Sequence, residues 1–157
     1  MVTLIGMGSG KWEALSAQAQ QAVRSAGLVF GAKRLLAGLP ADCMARQFAL
    51  YQPADILETL EQNPGQDAAV LYSGDTGFYS GASGLLTPLR ALGIPARVYP
   101  GVSSIQLLSA ALGRPWQDWK LVSAHGCACD PVAECMMNRS VYFLTGGPET
   151  PASLCQK

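Results

Sequence analysis

Residues 68–86 read AAVLYSGDTGFYSGASGLL, an apolar run that stops abruptly at a Ser-Gly-Asp-Thr-Gly turn and gives way to a small-residue stretch of helical spacing. No other segment restricts the fold as much. Ala69 to Tyr72 is continuously apolar, as expected of a strand covered on both faces, which is the habit of parallel sheets flanked by helices. Gly74, Gly77, Gly81 and Gly84 strip side chains from the turn and from the helix start, so that a ligand can approach the backbone. Asp75 is the one charged group at the carboxyl end of this strand, where open α/β sheets bind ligands.

The same grammar recurs along the chain. Val2 to Gly6 is a short apolar strand running into Gly6-Met7-Gly8-Ser9-Gly10, and Trp12 to Ala26 is Ala- and Gln-rich, helix-forming sequence. Leu28 to Gly31 predicts a second strand, Lys33 to Leu39 a short helix, and Asp55 to Gln62 an amphipathic helix behind Pro53. Ala68 to Tyr72 is the next strand, Ala82 to Leu92 its helix, and Ala96 to Tyr99 another strand. A helix over Ile105 to Leu112 then stops at Gly113-Arg114-Pro115. The alternation predicts an α/β domain with a mainly parallel sheet over residues 1–113. After a linker from Gly113 to Gln117, Lys120 to Ser123 and Val141 to Leu144 read as two strands, followed by the turn Thr145-Gly146-Gly147-Pro148. Two strands and one helix make only the start of a second α/β domain, 114–157, which is expected to be incomplete.

Composition narrows the partners. Hydrophobic residues make up 49% of the 157 residues, enough for a real core, and 11 basic against 11 acidic residues leave no basic face for nucleic acid and no polybasic segment for a membrane. A small organic substrate fits this surface better than a polymer. The start MVTLIGMGSG lacks the charged and apolar regions of a signal peptide, and no apolar run approaches bilayer length, so a cytoplasmic location is expected. Cys43, Cys127, Cys129, Cys135 and Cys155, an odd set, are then expected as reduced thiols.

Several motifs admit more than one reading. Gly6, Gly8 and Gly10 are spaced G-x-G-x-G, whereas the dinucleotide fingerprint is G-x-G-x-x-G, and Gly31-Ala32-Lys33 stands where that fingerprint needs an acidic residue. The loop lines a ligand cleft or makes a structural turn; a nucleotide-binding oxidoreductase is the alternative from another class. In Tyr99-Pro100-Gly101-Val102-Ser103-Ser104 either serine suits a helix N-cap. This is nevertheless the third glycine-bearing turn at the carboxyl end of a strand, and such turns converge on one crevice. His125-Gly126-Cys127-Ala128-Cys129 lacks the C-x-x-C spacing of a zinc site, so no metal is expected. Neither a nucleophile elbow nor a phosphate-binding P-loop sequence is present.

Taken together, LIGMGSG, GAKRLLAGL, SGDTGFYSGAS, YPGVSSIQLLSAALG, LVSAHG and YFLTGG, in this order, resemble the tetrapyrrole methylase family over essentially the whole chain. The resemblance is strongest to members that methylate carbon 5 of a corrin precursor, precorrin-6Y or cobalt-precorrin-7, in cobalamin biosynthesis. It implies two α/β domains with S-adenosylmethionine between them, and a homodimer. It also implies cofactor contacts from Met7 and Gly8, from Asp75 and Phe78, from Ser103 and Ser104, and from Leu144 and Thr145. Thr76 departs from the family's commoner Gly-Asp-Pro, and Cys127 stands where relatives often carry Arg. The resembled proteins also continue past Lys157, so an inactive fragment is a further alternative.

The chemistry implied needs no covalent catalyst, because the methyl group arrives with its leaving group and the main task is placement of a carbon nucleophile. No catalytic residue is assigned. A ring bearing acetate and propionate groups calls for cations at the cleft mouth, and Lys33 and Arg34, just after a strand end, are the first candidates, with His125 a third substrate contact. A companion enzyme for methylation and decarboxylation at carbon 15 is an expected partner.

Overall fold

The computed structural model describes residues 1–125, 127–146 and 150–156. Backbone contacts divide the chain into two compact units, Met1–Ser104 and Ile105–Lys157.

The first unit runs β1 (Val2–Gly6), α1 (Ala17–Ser25), β2 (Leu28–Gly31), α2 (Lys33–Leu36), β3 (Arg46–Phe48), α3 (Pro53–Glu61), β4 (Ala68–Tyr72), α4 (Ala82–Ala91) and β5 (Ala96–Tyr99). Its strands form one sheet in the order β3-β2-β4-β1-β5, and every pairing is parallel. The period-2 alternation of the central strands supplies two cores. On one face Val2, Leu4, Leu28, Phe30, Ala68 and Val70 pack with Ile56 of α3 and with Ala82, Leu85 and Leu89 of α4. On the other, Ile5, Val29, Ala69 and Leu71 pack with Ala19 and Val23 of α1 and with Leu35 of α2. Each large side chain so buried contributes about 1.5–3 kcal/mol. The double coverage is why β1, β2 and β4 read as unbroken apolar runs.

Helix α2 ends at Leu36 and α3 starts at Pro53, small shifts from the expected bounds, and two larger departures have a clear cause. The helix expected from Trp12 begins at Ala17, behind a single 3-10 turn over Trp12–Ala14. Ser16 cuts the segment there, since its hydroxyl accepts the Ala19 N–H at 3.2 Å and caps the helix. Strand β3 was not expected at all: three residues long, with exposed Arg46 and Gln47, it carries no alternating pattern, and Phe48 joins the sheet by stacking on Phe30, ring centroids 5.2 Å apart.

The second unit contains α5 (Ser104–Leu112, its first residue shared with the boundary), β6 (Lys120–His125), α6 (Pro131–Met137), β7 (Val141–Gly146) and α7 (Pro151–Cys155). β6 and β7 pair in parallel through the crossover α6. Asp130 caps α6, its Oδ1 accepting the N–H groups of Val132 and Ala133 at 3.1 Å each, with Pro131 at the first helical position. Gly147 and Pro148 of the expected turn lie outside the described residues. No helix among the described residues is long and apolar enough to cross a membrane.

Candidate active site

Strand order decides where a ligand can sit. β1 and β4 are neighbours, but the chain leaves β1 through α1 on one face and leaves β4 through α4 on the other. Their carboxyl ends therefore part into a crevice, the switch point at which such sheets bind ligands.

Three loops meet there, backbone against backbone. The Met7 N–H donates to the Tyr72 carbonyl at 2.8 Å, and Gly8 and Gly74 exchange both of their backbone hydrogen bonds at 3.0 Å. Both glycines take left-handed backbone angles, φ 55° and 67°, which side-chain-bearing residues rarely adopt. The third loop arrives through Gly101. A Cβ placed on Gly101 would overlap the Gly74 carbonyl oxygen and the Gly6 carbonyl, and one on Gly6 would lie 2.7 Å from the Gly74 oxygen. Glycine at these positions is thus a requirement of close approach.

Asp75 ties the loops together. Its Oδ1 accepts the Gly101 N–H at 3.1 Å and its Oδ2 accepts the Gly77 N–H at 3.2 Å. The Thr76 hydroxyl adds a longer contact, 3.4 Å to the Tyr99 carbonyl. Above this seam there is room: a Cβ on Gly74 would meet nothing within 4 Å. A glycine cradle with open space over it, at a sheet switch point, suits a small-molecule cofactor.

The other residues singled out in the first unit fall around this seam. Met7 is wholly buried, because the alternation that puts Ile5 in the α1 core puts Met7 there too, so its side chain packs into that core. Phe78 is half-buried, its ring edge-on to Tyr79 with centroids 4.9 Å apart, and Tyr79 carries an unusual φ of 46°. Ser103 is buried, while Ser104 is exposed and opens α5. Lys33 and Arg34 are exposed on α2, and Arg34 Nη2 donates to Ser73 Oγ at 2.6 Å. Tyr72 is half-buried beside the α3/α4 core, and burial pushes its phenol from near 10 up to about 12.

In the second unit, β6 and β7 set Ser123 beside Leu144, Ala124 beside Thr145 and His125 beside Gly146. Leu144 and Thr145 are half-buried and His125 is exposed. The His125 ring lies over Gly146, where a Cβ would overlap it. The cysteines of this unit that follow His125 are free thiols, Cys129 half-buried and Cys127, Cys135 and Cys155 exposed. A groove of about 440 Å³ between α1 and the β1/β5 edge, lined by Thr3, Gln18, Gln21 and Arg97, is separate from the three loops.

Ser73, Gly6 and Gly101 went unassigned as site residues in the sequence. Their roles depend on which strands are neighbours, and no local pattern carries that.

Residues 1–154 match the family described as Tetrapyrrole (Corrin/Porphyrin) Methylases. The chain belongs to the tetrapyrrole methylase family. As such it is a methyltransferase, and its α/β architecture with a parallel sheet is the one found in solved members. It is similar to the cobalt-precorrin-7 C(5)-methyltransferase of Salmonella typhimurium, 30% identical over 159 residues that cover 100% of this chain and 77% of the relative. It is also similar to a probable cobalt-precorrin-7 C(5)-methyltransferase of Methanocaldococcus jannaschii, 31% identical over 132 residues, 80% of this chain and 61% of the relative. Among solved structures, precorrin-6Y methylase from Archaeoglobus fulgidus superposes with a TM-score of 0.65 at 21% identity, covering 92% of this chain and 72% of that one. That likeness concerns the fold. The chain therefore spans between about three-fifths and three-quarters of the lengths of these relatives.

Proposed function

We propose that this tetrapyrrole methylase takes part in cobalamin biosynthesis, methylating carbon 5 of a corrin precursor, precorrin-6Y or cobalt-precorrin-7, with S-adenosylmethionine as donor. The observation that carries the cofactor reading is the glycine seam of Gly6, Gly8, Gly74 and Gly101, open above Gly74 and fastened by Asp75. The carbon-5 reading rests on the two relatives that bear that activity in their names.

When bound, S-adenosylmethionine supplies an electrophilic methyl group attached to a sulfonium leaving group. The chain's part is to hold and to orient. Gly8 and Gly74 keep side chains away from the donor, and Ser103 would add its contact from the third loop. Asp75 holds the Gly101 turn in register with the Gly74 turn through its two backbone N–H bonds. Phe78 offers a half-buried ring beside the same turn. In the second unit Leu144, Thr145 and His125, at the carboxyl ends of their strands, are the residues proposed to meet cofactor and substrate. The homodimer, the cytoplasmic location and the companion carbon-15 enzyme belong to the same proposal.

Calorimetric titration with S-adenosylhomocysteine tests the reading. The folded protein is expected to bind, and Asp75→Ala is expected to weaken binding about ten-fold or more, since two backbone N–H groups lose a charged acceptor worth about 1–3 kcal/mol. Absence of binding to the folded protein would overturn the cofactor assignment.

A further inference from the structure

Arg34 is held in place without being neutralised. β2 ends at Gly31 and α2 begins two residues later, and Leu35, 2% exposed, pins that short helix into the α1-side core. Its neighbour Arg34 is consequently turned outward. The guanidinium Nη2 donates to Ser73 Oγ at 2.6 Å, and Nη1 lies 3.9 Å from where a Gly10 Cβ would stand. The group thus spans from the β4 loop to the β1 loop, immediately beside the Gly74 seam. Ser73 is a neutral acceptor. Among the described residues the ion pairs are Met1–Asp67 and Arg24–Asp42, and neither involves Arg34. Lys33 is exposed and makes no side-chain hydrogen bond among the described residues.

We infer that Arg34 is the specificity-determining anchor for a carboxylate of the substrate, and that Ser73 is its positioning residue. A guanidinium has five donors in a fixed fork, and a carboxylate takes two of them side by side. With one donor on Ser73, the fork is oriented and keeps donors for an incoming anion, while its charge stays uncompensated. A hydroxyl suits this task better than an acidic residue, which would cancel the charge that recruits the ligand. Gly10 contributes by leaving the second arm unobstructed. The ligand class is an organic polycarboxylate, which rests on the tetrapyrrole reading above.

Uroporphyrin, a porphyrin bearing acetate and propionate groups, serves as probe, with binding to the intact protein followed by its visible absorption band. Arg34→Ala is expected to weaken binding about ten-fold, and Arg34→Lys to recover only part of it, because an ammonium cannot grip a carboxylate bidentately. Ser73→Ala is expected to cost about three- to five-fold, and to cost nothing further in the Arg34→Ala background. That non-additivity is what a merely structural serine would not produce. Parallel titrations with S-adenosylhomocysteine should be the same for all variants. Unchanged porphyrin affinity in Arg34→Ala, additive losses in the double variant, or no porphyrin binding by the unsubstituted protein would each overturn the inference. Porphyrin binding that depends on Arg34 without any S-adenosylhomocysteine binding would uphold it while removing the cofactor assignment.

Discussion

The two units use the same β-α-β grammar but secure the ends of their strands differently. In the first, three loops touch through backbone atoms of Gly6, Gly74 and Gly101, two of them following strands, β1 and β4, whose residues are nearly all buried. In the second, the end of β7 is met by a side chain, the ring of His125 over Gly146, and only Val122, Ala124 and Tyr142 of its two strands are buried. Backbone contacts cannot be relieved by rotating a bond; a ring can swing away. The strand ends of the first unit are therefore held in a geometry set by glycine, and those of the second in one that a side chain can adjust.

Gly101→Ala should break this contrast most severely. The added methyl overlaps the backbone of two other loops, so the turn must move, at a cost of about 1–3 kcal/mol or more. Melting temperature is expected to fall by about 2–4 °C for each kcal/mol lost. S-adenosylhomocysteine binding should disappear with the displaced seam. Calorimetry and a thermal melt check both, and an unshifted melt with full binding would show that the loops are not in backbone contact.

Much of the first unit was legible because three of its strands, β1, β2 and β4, are covered on both faces. Val2 to Gly6, Leu28 to Gly31 and Ala68 to Tyr72 appear in the sequence as apolar runs with the bounds seen in the sheet, and the glycine turns mark their carboxyl ends. Arg46–Phe48 was not legible: an edge strand of three residues with two exposed polar side chains looks like loop, and only pairing with β2 makes it a strand. The site was legible in part for a similar reason. Asp75 stands out as a lone charge after a strand, but that it reaches Gly101, 26 residues away, follows from the placement of β5 beside β1. The partnership of Arg34 with Ser73, 39 residues apart, is equally a product of topology.

Gly146→Ala probes the adjustable strand ends of the second unit and should cost much less than Gly101→Ala. The obstacle is the exposed His125 ring, which can turn aside, since even a χ angle held ~30° off its rotamer costs only about 0.5–1.5 kcal/mol. The double variant with His125→Ala isolates the cause. Removing the ring should return the stability lost to Gly146→Ala, because the methyl then has nothing to strike. Equal losses with and without His125 would mean that the backbone of β7, rather than the ring, resists the substitution, and the strand ends of the two units would then be alike.

The smallest expected effect belongs to Tyr72, at the end of the strand that leads into the glycine seam, and it appears only in alkali. Burial favours the neutral phenol in the folded protein, raising its pKa from near 10 to about 12. The unfolded chain releases this proton first, so the stabilising contribution is complete below pH 10 and is lost as pH rises through 12. Solvent reaches part of the side chain, which keeps the effect below about 1 kcal/mol. Tyr72→Phe carries no such proton. Melts of the two proteins from pH 8 to 12 should differ by a constant amount up to pH 10, after which the unsubstituted protein should lose stability faster. If the two curves stay parallel through pH 12, the Tyr72 hydroxyl meets water freely, and the end of β4 is looser than the glycine seam beside it implies.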